Sequence, residues 1–197
     1  MAPDLGVSVN GRSLLLVPSR WRRLFLSTFS LASHAGNFRY AIDYSKAIEN
    51  SRNEGGAQGV EVSAAWHPDV AFNQSGRFSF YIDSQLGVFE SDARRDKGDK
   101  AMILSVSPML RLELFQIDGR RVFAEAGIGA SYLSEDVFAD QLYSTHFQFR
   151  DRLALSVELD QAGVHQLSLK RTHYSNADID EPNPGFDTWS LSYSRAF

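Results

Sequence analysis

The feature that most limits what this chain can fold into is an alternation of apolar and polar residues with a period of two. It begins near Phe38 and recurs about eight times before Phe197. Successive side chains of a strand point to opposite faces, so this pattern describes half-apolar strands and not helices, whose apolar residues return every three or four positions. Tyr40, Ile42 and Tyr44 alternate with Ala41, Asp43 and Ser45, and Val60, Val62, Ala64 and Trp66 with Glu61, Ser63 and Ala65. The same pattern returns from Phe78 to Val88, Met102 to Leu112, Val122 to Tyr132, Phe149 to Leu159, in Leu167 and Leu169, and from Trp189 to Phe197. Eight strands are an even number suited to a small closed barrel.

Which face is outside follows from the polar set. It is rich in small residues and carries both signs of charge: Arg77, Arg111, Arg152 and Lys170 against Asp83, Glu113, Glu125 and Glu158. Such residues can pair inside a narrow lumen, which eight strands fill with side chains. The apolar set carries Trp, Tyr and Phe near strand ends, as aromatic girdles do, and several strands reach the length that crosses a bilayer at a tilt. Arg195 falls on the apolar side near a strand end, where a long side chain can snorkel to water. The last residue, Phe197, is in register with Tyr193 and Leu191, a trait familiar from bacterial outer-membrane barrels. The expected fold is therefore all-β, an eight-stranded antiparallel transmembrane β-barrel of the outer-membrane type, over residues 37–197. The competing architecture is a soluble lipid-binding barrel with the apolar set turned inward.

Composition removes other classes. The 197 residues contain no Cys, which excludes disulfides and thiol chemistry. No apolar run approaches the roughly 20 residues of a membrane helix, but barrel strands give a weaker signal per segment. The formal net charge of −4 comes without a basic cluster, so no nucleic-acid partner is expected. The five histidines show no ligand spacing such as H-x-x-x-H, so neither a metal nor another cofactor is expected. Residues 1–36 read as an export signal or a misassigned N-terminal extension: RWRR (Arg20–Arg23), a short apolar stretch, and a small-x-small site ending at Ala35.

Short turns are expected at IDGR near Ile117 and DQAG near Asp160, and longer loops around 50–58, 90–99, 135–146 and 176–185. In this class short turns face the periplasm and long loops face outside. The strand LSLKRTHYS (Leu167–Ser175) then runs outward, and its apolar face continues through Arg171, His173 and Ser175. Residues two apart share a face about 6.6 Å apart. A serine needs a base within hydrogen-bond reach, and that base needs an orienting group. Ser175 is the candidate nucleophile, His173 the base, and Asp187, across the hairpin and in line with Trp189, the acid; Asp178, Asp180 and Glu181 are rivals in the loop. Asn176, or a backbone N–H nearby, is the oxyanion candidate. Arg171 serves as an interfacial anchor or as a contact for a lipid phosphate. An isolated H-x-S on a strand is usually an ordinary surface pair, but polar side chains on the lipid face of a barrel are costly unless they lie near the interface or have a use.

The segment HYSNA (His173–Ala177), followed by PNPGFD (Pro182–Asp187) with its acid fourteen residues after the histidine, resembles the PagL-type lipid A 3-O-deacylases of Gram-negative outer membranes. FAEAGIG (Phe123–Gly129), FRDRLALSVEL (Phe149–Leu159) and, less closely, GRFSFYIDSQLG (Gly76–Gly87) extend the resemblance over roughly Tyr40 to Phe197. It implies an outer-membrane barrel that hydrolyses the ester-linked 3-O acyl chain of lipid A in the outer leaflet. It also implies Ser175 as nucleophile, His173 as base and Asp187 as acid, where the family usually has Glu. Asn176 corresponds to a family asparagine associated with the oxyanion hole. The implied partners are lipopolysaccharide and outer-membrane lipid, and a homodimer is compatible with the sequence. A non-enzymatic barrel used for adhesion or structure shares every fold-level feature.

Overall fold

The computed structural model describes residues 37–48, 56–68, 76–92 and 98–197. The expected export segment, residues 1–36, lies outside these described residues. Eight strands close a barrel: β1 (Phe38–Ala47), β2 (Ala57–Trp66), β3 (Phe78–Ser91), β4 (Lys100–Ile117), β5 (Arg120–Leu133), β8 (Phe147–Glu158), β9 (His165–Ser175) and β10 (Phe186–Ala196). Every neighbour pair is antiparallel, and β1 pairs with β10 to close the ring. Between β5 and β8, a short hairpin of β6 (Val137–Phe138) and β7 (Gln141–Leu142) occupies what the sequence suggested was only a long loop.

The alternation predicts the faces correctly. Ile42, Val62, Leu104, Leu110, Leu153, Leu155 and Leu191 are all exposed on the outside of the barrel. A barrel that held lipid in its lumen would need these residues inside, so the soluble alternative fails. The lumen is instead filled with buried polar side chains. Asp83 accepts from Arg150 at 3.0 Å and Arg152 at 2.8 Å, Lys170 meets Asp43 at 2.6 Å, and Arg111 lies 3.3 Å from Glu125. Removing charge from water is costly unless it is paired and hydrogen-bonded, and these groups meet both conditions.

Two expected lumen charges, Arg77 and Glu113, lie elsewhere. Arg77 is exposed at the end of the barrel where β1 begins and β10 ends, donating to the Glu113 and Leu114 carbonyls, while Glu113 accepts from Gln116. Glu158 is buried on the inward face, as expected, and pairs with Arg121 at 2.6 Å. A register shift between Glu113 and Phe115 ends the regular alternation of β4 there. Toward the opposite end, buried Phe89, Phe138, Tyr143, Tyr174 and Phe186 form an aromatic cluster that caps the polar interior.

The chain's connections orient the barrel. Asp118 and Gly119 both have positive φ, as a two-residue type I′ hairpin requires, and join β4 to β5 directly. The β8–β9 turn is held by Asp160, whose carboxylate accepts the backbone N–H groups of Val164 and His165 at 3.1 and 2.7 Å. These tight turns share the end with the start of β1 and the end of β10; the β2–β3 connection at that end is longer. The opposite end carries the β1–β2, β3–β4, β5–β8 and β9–β10 loops, and is the outward-facing end by the rule for this barrel class. The last turn of β9 and the first of β10 lie there.

Candidate active site

Period two decides which β9 side chains reach this site. Lys170, Thr172 and Tyr174 point into the lumen and are buried, while Leu169, Arg171, His173 and Ser175 face outward. The β9–β10 register places Asp187 directly opposite His173, and Trp189 opposite Arg171. His173 Nδ1 lies 3.2 Å from Asp187 Oδ2, and Arg171 Nη2 lies 3.4 Å from Asp187 Oδ1. Asp187, with the shorter acidic side chain, therefore spans the hairpin, and its two oxygens hold the imidazole and the guanidinium side by side. With Nδ1 turned to the acid, Nε2 is the ring nitrogen left for another partner.

The rival acids are occupied in the loop. Asp178 accepts from Asn183 Nδ2 at 2.8 Å, Asp180 Oδ1 accepts the Glu181 N–H at 2.9 Å, and Glu181 accepts the Asn183 N–H at 3.0 Å. Among the described residues, only Asp187 forms an acid pair with His173.

Asn176, the oxyanion candidate, has its side-chain amide engaged within the loop. One residue past Ser175 the chain turns inward, and Asn176 is buried at 1% exposure. Its Nδ2 donates to Ser144 Oγ at 2.9 Å and to the Asp180 carbonyl at 2.8 Å, while its backbone N–H donates to Asn183 Oδ1 at 3.1 Å. Both side-chain donors are thus used in tying the β9–β10 loop to the β5–β8 loop. The Ser144 N–H adds a bond to the Pro182 carbonyl at 3.1 Å.

A further residue emerges from the geometry. Gly185, with φ of +74°, packs against the imidazole: a β-carbon there would stand 3.0 Å from His173 Cε1 and 3.8 Å from Nε2. The glycine both adopts a conformation that other residues avoid and leaves the space the ring occupies. The sequence signal was the glycine in PNPGFD, read there only as part of a motif.

An open apolar groove of about 1040 Å³ begins at His173, Arg171 and Asp187 and runs across β8, β5 and β4, past Leu153, Ala126, Gly127 and Leu110. A second depression of about 640 Å³ shares Leu110, Ala126, Leu153 and Arg171 with it and continues over Ala124, Leu155 and Leu169. The cause is local sequence. In two successive outward rows β5 carries only Ala124 and Ala126, where β4 carries Leu112 and Leu110 and β8 carries Leu155 and Leu153. Small side chains between large ones form the floor of a channel on the lipid-facing surface.

Residues 58–196 match the family described as Lipid A 3-O-deacylase (PagL). The chain belongs to the PagL family. The lipid A deacylase PagL of Pseudomonas aeruginosa is 29% identical over 153 residues, covering 78% of this chain and 85% of that protein. The lipid A deacylase PagL of Bordetella bronchiseptica is 42% identical over 79 residues, 40% of this chain and 43% of that protein, so this alignment spans less than half of that relative. A crystal structure of the outer membrane enzyme PagL superposes with a TM-score of 0.66 at 25% identity, over 80% of this chain and 99% of that one. This PagL-family chain is thus an outer-membrane barrel whose family activity is ester hydrolysis on lipid A, and its polar cluster lies on the lipid side of the wall.

Proposed function

We propose that this barrel removes the ester-linked 3-O acyl chain of lipid A in the outer leaflet, with Ser175 as nucleophile, His173 as general base and Asp187 as its orienting acid. One observation carries the assignment: the His173–Asp187 pair, 3.2 Å apart, faces lipid at the mouth of an apolar groove. A substrate confined to the leaflet can reach such a site without leaving the membrane.

The chemistry needs only these side chains and water. Ser175 Oγ bonds to the ester carbonyl carbon as its proton passes to His173 Nε2. The bond to the sugar oxygen breaks, and that oxygen takes the proton. Water then attacks the acyl-serine, giving its proton to His173, which returns it to Ser175 Oγ as the fatty acid departs. Asp187 holds the imidazole with Nδ1 protonated and stabilises the imidazolium formed in each half. Since Asn176 commits both its side-chain amide and its backbone N–H to the loop, a backbone N–H beyond Asn176 is the better oxyanion donor, and Asn176 supports it by fixing the loop. Arg171, more than half exposed beside Asp187, presents cationic charge to a lipid A phosphate at the headgroup level. The departing chain lies over Ala126 and Ala124 in the groove.

The test is mass spectrometry of lipid A from a Gram-negative host with and without the barrel. The expected result is loss of one 3-hydroxyacyl chain when the protein is expressed. Lipid A of unchanged mass, with the barrel correctly inserted, would refute this function.

A further inference from the structure

The row of outward side chains that contains Arg171 continues away from the groove. Arg171 lies opposite Trp189 on β10, and Trp189 lies opposite Lys46 on β1. Lys46 is exposed near the outward end of β1, one outward position beyond Tyr44. The row goes on to Gln58, whose Oε1 accepts from the Tyr44 hydroxyl at 2.8 Å, and to Glu90, which is paired with Lys100 at 3.2 Å. Among the described residues, the Lys46 ammonium makes no ion pair or hydrogen bond, so it does not serve to hold them together. A cation on the outer wall of a barrel is costly within the apolar band. At the headgroup level it is useful, because it meets anionic lipid there.

Charge around the reactive histidine is lopsided. On the β8 side an anion, Asp151, stands opposite His173, and the apolar groove leads away past it. On the other side, exposed Trp189 is flanked by Arg171 and Lys46. A lipid with one acyl chain in the groove has to lay its anionic headgroup beside the groove, and the positive charge is on the β10–β1 side. Lipid A carries a phosphate at each end of its disaccharide, at positions 1 and 4′, and a single side chain does not reach both. Arg171 and Lys46 are two strand spacings apart, roughly 10 Å, and the flexible stem of the lysine widens that span.

We propose that Lys46 is a substrate-binding residue for a second phosphate of lipid A, with Arg171 at the first and Trp189 between them, so that the barrel prefers bisphosphorylated lipid A to the form that lacks the phosphate at Lys46. The proposal rests on the lipid A reading of Ser175, His173 and Arg171. The ammonium is a point charge that donates to phosphate oxygens without a fixed geometry, which suits an anion held on the surface of the barrel and not inside a pocket.

The experiment uses the full chain in micelles of an uncharged detergent and three substrates: lipid A with both phosphates, and the two monophosphorylated forms that lack the phosphate at position 1 or at position 4′. Release of the 3-O fatty acid is followed for each. Lys46→Gln should lower kcat/KM on the bisphosphorylated substrate about fivefold, the worth of one cation at an anionic lipid surface, chiefly through a rise in KM. It should lower one monophosphorylated form to a similar extent and leave the other, which lacks the phosphate that Lys46 holds, unchanged. Lys46→Arg keeps the charge and should retain the wild-type pattern. An equal fall on all three substrates, as a general surface-charge effect would give, or no fall on any of them, overturns the proposal. Ser175→Ala should silence all three; full activity there would defeat the hydrolytic reading itself, an outcome separate from the Lys46 pattern.

Discussion

The lumen and the outer rim of this barrel are built from the same chemical parts, carboxylates set against cationic side chains, and use them to opposite ends. In the lumen, Asp83 is clamped by Arg150 and Arg152, all three at most 3% exposed at their side chains. At the rim, Asp187 is shared by His173 and Arg171, which are 41% and 53% exposed. The lumenal cluster is closed to water and substrate and fixes the packing of strands. The rim cluster leaves an imidazole edge and a guanidinium free to meet a ligand. The difference shows that burial, more than residue type, separates a structural ion cluster from a reactive one.

Four substitutions or conditions test this contrast, beginning with the largest effect. Asp187→Asn should lower the deacylation rate on the order of 10⁴-fold, as when the orienting acid of a triad is replaced by its amide. Its unfolding midpoint should move little, since partly exposed pairs contribute roughly 0–1 kcal/mol. A rate assay and a urea titration of the same preparation separate the two. Asp83→Ala should do the reverse. It leaves two buried guanidinium groups without their anion and should destabilise the barrel by about 3–5 kcal/mol. Variant that does fold should keep the substrate preference of the wild type.

Gly185→Ala comes next. The left-handed backbone costs a non-glycine residue roughly 1–2 kcal/mol, and the added methyl would press on the His173 ring. The expected signature is a fall in kcat larger than any rise in KM, because the imidazole is displaced while the groove is untouched. The smallest effect concerns His67, which follows β2 at the end of the barrel where β1 begins, and stacks on Tyr81 at 4.8 Å. Burial, with Arg111 and Arg39 nearby, lowers its pKa to about 4. The unfolded chain, titrating at about 6.5, binds the proton more readily than the fold between these values. Stability should therefore be full above pH about 6.5 and decline as the pH falls toward 4. His67→Gln should flatten that part of a urea-midpoint profile.

Much of the barrel was readable because a period of two fixes faces without knowledge of partners. Leu167 and Leu169 determined that Arg171, His173 and Ser175 face outward, and hairpin order set Asp187 near them. Pairings across the lumen were less accessible, since they join strands that are not neighbours. Asp43 meets Lys170 from the far side of β10, and Arg150 joins Arg152 on Asp83, neither of which alternation alone can show. Tyr174 and Phe186 have inward parity but belong to a cap assembled from several strands and the β6–β7 hairpin. The setting of Asn176 was hidden for a related reason: the strand ends at Ser175, and beyond it the loop sets direction through bonds to Ser144 and Asp180.

The most direct test of the rim site is the hydrolysis of purified lipid A by the wild type and by Ser175→Ala and His173→Ala, each first shown to be folded and inserted. The account predicts release of the 3-O fatty acid by the wild type alone, with both variants at background. Release at the wild-type rate by either folded variant would contradict it.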